Sequence, residues 1–125
     1  MLEHSKAFSG IAVRDLEESR RFYGDVLGLR VEDSDMGMLV LRLTGDRPIL
    51  LYPKPDHEPA GYTVLNFPVD DVEQAVDRLT AAGVAFERYD GFEQDEKGIA
   101  RTDEGPAIAW FTDPAGNILS VLEGT

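Results

Sequence analysis

Short stretches of the chain alternate apolar residues with polar or small ones, a pattern typical of strands that bury one face. Two longer stretches carry apolar residues three and four positions apart, which predicts helices with one apolar side. The predicted helices begin at Asp15 and Asp71 and end at Gly28 and Gly83. The predicted strands cover residues 7–13, 29–32, 38–43, 49–54, 62–69, 84–89, 107–112 and 118–123. The chain therefore reads as strand, helix and three strands, twice in succession.

The two halves also repeat one another residue by residue. Residues 13–18 and 69–74 share valine, aspartate, an aliphatic residue, glutamate and Glu or Gln at an offset of 56, whereas 27–32 matches 82–87 at an offset of 55. One residue has therefore been lost inside the intervening helix. In both copies the aspartate is spaced to cap the helix and the glycine to end it. A repeat of this length predicts two copies of one supersecondary unit that pack against each other, with function between them.

These patterns predict one α+β domain over residues 1–125, with modules at 7–54 and 62–125. Residues 55–61 are rich in proline and form the predicted linker. Residues 90–105 are polar, acidic and longer than an ordinary connection. They either cover the mouth of a cavity or form a solvated loop.

The excess of acidic side chains bears on which molecules this protein can bind. Twelve basic and twenty-four acidic side chains give a formal net charge of -12. Such a chain repels nucleic acid and anionic membrane surfaces, so neither is an expected partner. The acidity either attracts a cationic ligand or serves solubility.

Cysteine and long apolar runs are both missing from the sequence. The absence of cysteine excludes disulfides, thiolate metal sites and cysteine nucleophiles. No stretch approaches the about 18 apolar residues of a membrane span, and the N-terminus lacks the apolar run of a signal peptide. We expect a soluble cytoplasmic protein.

Two motifs near opposite ends of the chain resemble the vicinal oxygen chelate superfamily. The first is Phe22-Tyr23 with Leu27-Gly28 in the first helix, and the second is Asp113-Pro114-Ala115-Gly116-Asn117. This superfamily includes glyoxalase I, bleomycin-resistance proteins, fosfomycin-resistance enzymes and extradiol dioxygenases. The resemblance covers nearly the whole chain. It implies two tandem βαβββ modules that form an open half-barrel around a cavity, and it implies a homodimer.

The resemblance also implies four metal-ligand positions, usually histidine or glutamate, on the first and last strand of each module. The corresponding residues here are Phe8, Leu51 (to within one position), Val64 and Ser120. Hydrocarbon side chains cannot donate a lone pair to a metal, and a serine hydroxyl is a poor ligand. The positions on either side contain no histidine or glutamate either. We therefore predict no metal and no cofactor.

The predicted ligand-binding residues are those placed on the inner faces of the modules. They are Phe8, Tyr52, Val64, Asn66, Trp110 and Ser120. Strand alternation puts Asn66 on the face opposite Leu65 and Phe67, where its amide either orients a ligand or bonds neighbouring strands. Trp110 and Tyr52 either pack in the core or stack on a ligand. The inward placement of Ser120 follows from the resemblance alone.

The sequence contains two histidines. His57 lies between Asp56 and Glu58, so it either joins them in a metal or proton-transfer site or is an exposed linker residue. His4 lies near a terminus and is expected to be mobile.

The leading hypothesis is a metal-free small-molecule-binding protein that sequesters an antibiotic-like or cationic ligand, as the likeness to bleomycin-resistance proteins implies. The alternative is an enzyme. It would be a glyoxalase-like isomerase, lyase or transferase with a non-standard metal site through His57 or Glu123, or a metal-independent enzyme that uses Tyr52, Asn66 or Asp95. No catalytic residue is assigned from the sequence.

Overall fold

Each half of the chain folds into a four-stranded sheet with a helix, as the repeat predicts. The computed structural model describes residues 1–45 and 47–124, so Asp46 and Thr125 lie outside it. The chain divides into two compact units, Met1–His57 and Glu58–Thr125, which we call unit 1 and unit 2. The division lies within the predicted linker.

Unit 1 has the order strand, helix and three strands. Its elements are β1 (Ser9–Val13), α1 (Leu16–Arg20) with a following π-helical segment (Arg21–Val26), β2 (Arg30–Asp33), β3 (Leu39–Leu43) and β4 (Arg47–Pro53). The sheet order is β1-β4-β3-β2. The first and last strands run parallel, and the other pairs are antiparallel.

Unit 2 repeats this topology. Its elements are β5 (Thr63–Val69), α2 (Val72–Ala81), β6 (Ala100–Thr102), β7 (Gly105–Thr112) and β8 (Ile118–Glu123). The sheet order is β5-β8-β7-β6, with β5 parallel to β8. The predicted α+β class and the two βαβββ modules are confirmed.

The strand predicted at residues 84–89 is wrong. Phe86 forms a single isolated bridge to Phe111, and the strand in this topological place is β6, inside the segment predicted to be a loop. The edge of β7 that Phe86 meets is also the edge that β6 uses, because Ala100 of β6 pairs with Ile108 farther along β7. Beyond the bridge, the backbone N–H of Tyr89 donates to a side chain rather than to β7. The alternating pattern was correct locally, but competition for one edge shortened the strand.

The predicted helix signals are confirmed. Asp15 Oδ1 accepts from the backbone N–H of Glu18 at 3.0 Å, and Asp71 Oδ1 accepts from Gln74 at 3.0 Å. Such caps satisfy N–H groups that have no partner within the helix. Gly83 ends α2 with φ 100°, in the left-handed region that glycine adopts without strain.

The difference of one residue between the two copies has a structural counterpart. Residues Arg21–Val26 form a π-helix, and the N–H of Leu27 donates to the carbonyl of Phe22, five residues earlier, at 2.9 Å. Helix α2 keeps ordinary four-residue spacing at its end, where Ala82 N–H donates to Arg78 O. The extra residue of the first copy is therefore accommodated by a wider helical turn.

Much of the core of unit 2 lies between its helix and its sheet. In unit 2, α2 packs against β7 and β8. Its Val72 and Val76 are buried, as are Phe111 and Leu119, which oppose each other across the two strands. Because strand side chains alternate, the intervening residues of β7 and β8 lie on the opposite face. Among the described residues, no helix is long and apolar enough to span a membrane.

Candidate functional site

A row of three predicted site residues crosses the sheet of unit 2 on the face opposite α2. Asn66 on β5 opposes Ser120 on β8, and Ser120 opposes Trp110 on β7. Ser120 Oγ donates a hydrogen bond to Asn66 Oδ1 at 2.5 Å. Ser120 is fully buried, whereas Asn66 is exposed. The structure therefore brings together three of the six predicted residues, with an amide at the accessible end of the row.

Trp110 also forms one wall of a cavity of about 380 Å³ within unit 2, which we call the aromatic cleft. Its lining residues are Gly61, Tyr62, Thr63, Tyr89, Phe92, Trp110 and Ile118, none of which is charged. The ring centroid of Trp110 lies 4.9 Å from that of Phe92 and 5.6 Å from that of Tyr89. This size and this mainly apolar lining are typical of sites for small organic molecules.

The rings differ in exposure from the floor of the cleft to its mouth. Trp110 is 8% exposed, whereas Phe92 is 53% and Tyr62 70% exposed. Single exposed rings are common on protein surfaces, but exposed rings grouped in one lining, as these are, mark contact sites. Burial raises the pKa of Tyr89, and the negative charge of Glu87 raises it further. The Tyr89 hydroxyl therefore stays protonated at neutral pH and can donate a hydrogen bond.

Three of the rings lining the cleft were missed by the sequence analysis. Tyr62 begins the strand predicted at 62–69, and Tyr89 ends the one predicted at 84–89. Phe92 lies in the segment for which a role at a cavity mouth was one of two alternatives. Aromatic residues close to glycines were the one feature of the sequence that could have drawn attention to these positions. Neither the residue pattern nor the spacing shows that the three rings converge on Trp110.

The remaining predicted ligand-binding residues do not line the cleft. Val64 lies at an irregularity in the pairing of β5 with β8 and is half-buried. Phe8 and Tyr52 belong to unit 1, where Phe8 precedes β1 and is exposed. The Tyr52 ring lies over Gly10, so close that a Cβ atom placed on Gly10 would be in van der Waals contact with ring carbon Cε1, at 3.5 Å.

The four positions implied as metal ligands do not fit a metal. Gly10 opposes Leu50 as Asn66 opposes Ser120, so the unit 1 counterpart of Ser120 is Leu50, one residue from the expected Leu51. Leucine, phenylalanine and valine offer no lone pair, and the buried Ser120 hydroxyl is bonded to Asn66. Elsewhere in residues 1–45 and 47–124, no three His, Asp or Glu side chains are grouped to hold a metal ion.

The polar residues considered for catalysis make structural contacts. Glu123 accepts from the backbone N–H of Val72 at the start of α2, at 3.2 Å. The backbone carbonyl of His57 accepts a hydrogen bond from the Arg14 guanidinium at 3.2 Å. Asp95 accepts from the backbone N–H of Ile99 at 3.0 Å. Burial opposes the ionisation of Asp95, but its hydrogen bonds from backbone N–H groups and a guanidinium outweigh burial and lower its pKa.

Comparisons with solved structures find the same fold in proteins of differing activity. A lactoylglutathione lyase from Agrobacterium tumefaciens is 26% identical, with a TM-score of 0.66 over 95% of this chain and 94% of that one. The antibiotic-binding protein TnmS3 from Streptomyces sp. CB03234 is 23% identical, with a TM-score of 0.67 over 98% of both chains. A bleomycin-binding protein complexed with bleomycin is 22% identical, with a TM-score of 0.68 over 97% of this chain and 99% of that one.

Comparison with curated protein sequences finds no match. One family profile matches residues 4–121, nearly the whole chain. This match agrees with the two βαβββ modules and with the motifs at both ends of the sequence. The chain belongs to the Glyoxalase/Bleomycin resistance protein/Dioxygenase superfamily.

Proposed function

We propose that this chain is a metal-independent small-molecule-binding protein that sequesters an antibiotic-like, cationic organic molecule in the aromatic cleft. The observation that carries the proposal is the convergence of four aromatic side chains on one cavity that has no charged lining residue. A cavity of this kind binds by burying apolar surface and stacking rings, which needs no metal.

Charge supports a cation as the ligand. The faces of Trp, Tyr and Phe rings attract ammonium and guanidinium groups, with an energy of about 0.5–2 kcal/mol per contact. No lysine or arginine lines the cleft to repel such a group. The net charge of -12 also raises the local concentration of cations around the protein.

Two structural neighbours are the antibiotic-binding protein TnmS3 and a bleomycin-binding protein complexed with bleomycin. The enzymatic alternative has less support, because the carboxylates of Glu123 and Asp95 already accept hydrogen bonds from backbone N–H groups. Among the side chains that line the cleft, the Tyr89 hydroxyl can donate a hydrogen bond that orients a bound molecule. Asn66 lies on β5, two strands from Trp110, and is accessible on the same face of the sheet. The resemblance further implies a homodimer, which sedimentation at several concentrations tests.

The test uses a charged probe and its uncharged isostere. Benzyltrimethylammonium and neopentylbenzene have the same shape and differ by one charge, and bleomycin serves as a larger probe. Trp110 is the single tryptophan, so its fluorescence reports directly on the cleft. We expect the cation and bleomycin to quench Trp110 and raise the Tm, and neopentylbenzene to bind more weakly.

Two variants with matched chemistry locate the site. Phe92→Ala removes a ring at the mouth and should weaken binding of the cation, whereas Met36→Ala removes an exposed apolar side chain from unit 1 and should not. Equal binding of the charged and neutral probes would overturn the choice of a cation. Absence of binding by all three probes, or binding that requires added nickel, zinc, manganese or iron, would overturn the proposal.

A further inference from the structure

The Gln94 side chain bonds the backbone of the segment that carries Tyr89 and Phe92, which form one wall of the aromatic cleft. Residues 87–99, which we call the arm, lead from the isolated bridge near β7 towards β6. Gln94 Oε1 accepts from the backbone N–H of Tyr89 at 2.9 Å. Gln94 Nε2 donates to the carbonyls of Glu87 at 2.9 Å and Gly98 at 2.7 Å. One amide therefore ties together three points of the arm's backbone.

Further contacts hold the base of the arm against the rest of unit 2. The Arg88 guanidinium donates to the carbonyl of Asp95 at 2.7 Å. Lys97 Nζ lies 2.9 Å from Glu73 Oε1 and 3.0 Å from Asp77 Oδ1, both on α2. These bonds fix where the arm starts and returns, but they do not touch the segment that carries the rings.

The ring-bearing segment itself is weakly bonded. Gly91 takes the left-handed conformation with φ 92°, and the N–H of Phe92 reaches the carbonyl of Tyr89 at 3.4 Å, a long hydrogen bond. Phe92 nevertheless lies against Trp110, with ring centroids 4.9 Å apart. The direct bond from Gln94 to the Tyr89 backbone is the contact best placed to fix this segment.

We propose that Gln94 is a positioning residue for ligand binding, which holds Tyr89 and Phe92 against Trp110 so that the cleft is formed before the ligand arrives. This inference rests on the proposed function. A site whose walls are already ordered avoids the loss of side-chain and loop freedom on binding. Without Gln94, two aromatic side chains must be ordered by the ligand, which should weaken binding by roughly tenfold.

The test compares three substitutions within the arm. Gln94→Ala removes all three bonds. Gln94→Glu keeps the length and the acceptor for Tyr89 N–H but places a carboxylate oxygen against the carbonyls of Glu87 and Gly98. Glu93→Gln alters the exposed neighbouring residue by a comparable chemical change and serves as the control.

Two readouts are taken, and one of them needs no ligand. In both Gln94 variants, Trp110 emission should shift to longer wavelength and acrylamide should quench it more, because the covering rings are no longer held. Affinity for benzyltrimethylammonium should fall roughly tenfold in Gln94→Ala, while Glu93→Gln behaves as the parent protein. Far-UV circular dichroism checks that each variant is folded. If a Gln94 variant fails to fold, Gln94→Met takes its place, because methionine has a similar length and lacks the amide.

The outcomes separate this inference from the proposed function. If the parent protein binds the probe and Gln94→Ala binds it equally well, the positioning role is wrong, whether or not Trp110 emission moves. If the parent binds neither benzyltrimethylammonium nor bleomycin, the proposed function fails. A shift of Trp110 emission in the Gln94 variants would then still support the placement of the rings by Gln94.

Discussion

The hydrogen bond from Ser120 to Asn66 gives a prediction that needs no ligand. Ser120 is fully buried, and its hydroxyl donates to an exposed amide. In Asn66→Leu the buried hydroxyl loses its acceptor, which should cost about 1–3 kcal/mol of unfolding free energy. In Ser120→Ala the amide that remains is in contact with water, so only the net value of the bond is lost, about 0.5–1.5 kcal/mol.

The double variant makes this asymmetry measurable. With both partners replaced, no unsatisfied polar group remains, so Asn66→Leu with Ser120→Ala should cost less than the sum of the single changes by about 1 kcal/mol. For a chain of 125 residues, each kcal/mol corresponds to roughly 4 °C in Tm. Asn66→Leu should therefore lower the Tm by about 4–12 °C, and adding Ser120→Ala should lower it little further, because the coupling of about 1 kcal/mol offsets the cost of the second change.

Urea denaturation followed by far-UV circular dichroism measures the four free energies of the cycle, with an unchanged m-value as the check that the unfolded state is comparable. Asn66→Asp is the control, because its carboxylate oxygen can still accept from Ser120. If the two single losses simply add, the hydroxyl and the amide are not coupled, and the row across the sheet has no polar bond.

Three further predictions concern other parts of the chain. Deleting Asp25 from the π-helical segment should lower the free energy of unfolding by less than about 1 kcal/mol, because the segment then returns to the ordinary helical spacing of α2. Deleting Asp77 should cost several times more, because it rotates the rest of α2 by about 100° and turns its apolar side away from the sheet. The urea midpoints of the two variants measure the difference. Because the pKa of Asp95 is lowered in the folded protein, its ionised form stabilises the arm above the ordinary aspartate pKa of about 3.9, and this contribution is lost as pH falls through the folded value. Trp110 emission should therefore move to longer wavelength in acid, a transition that Asp95→Ala should remove. Val76→Ala should cost about 2 kcal/mol, because this α2 side chain is 1% exposed and its loss leaves a cavity, which calorimetry measures.

The features predicted correctly from the sequence are those that depend on neighbouring residues. A cap is decided by an aspartate and the residue three positions later, so both helix starts could be found without any knowledge of packing. The offset change from 56 to 55 correctly located a difference between the helices. It could not show that the longer copy forms a π-helical turn, because an offset does not tell whether the extra residue widens a turn or lengthens the loop that follows.

The errors and omissions have a common cause in long-range competition. Residues 84–89 have the alternation of a strand, but only one residue pairs with β7, whose edge is also occupied by β6. Where the strand was predicted to continue, the Tyr89 N–H donates to the Gln94 side chain, a contact that no periodicity encodes. Strand alternation and the family register were enough to assign one face to Asn66, Trp110 and Ser120, which lie on regular strands. Phe92 lies outside the strands, so neither signal applied to it.

The two copies also show why the fold alone does not identify the function. The row formed by Asn66, Ser120 and Trp110 in unit 2 corresponds by strand register to Gly10, Leu50 and Val40 in unit 1. Strand order and direction are the same in both units, so both rows are compatible with the fold. Only the row of unit 2 offers an amide, a hydroxyl and an indole. The faces opposite the helices were therefore free to diverge while the sheets were kept. Chemistry in this chain depends on which side chains occupy those faces, and the polar row and the aromatic cleft both lie in the second copy.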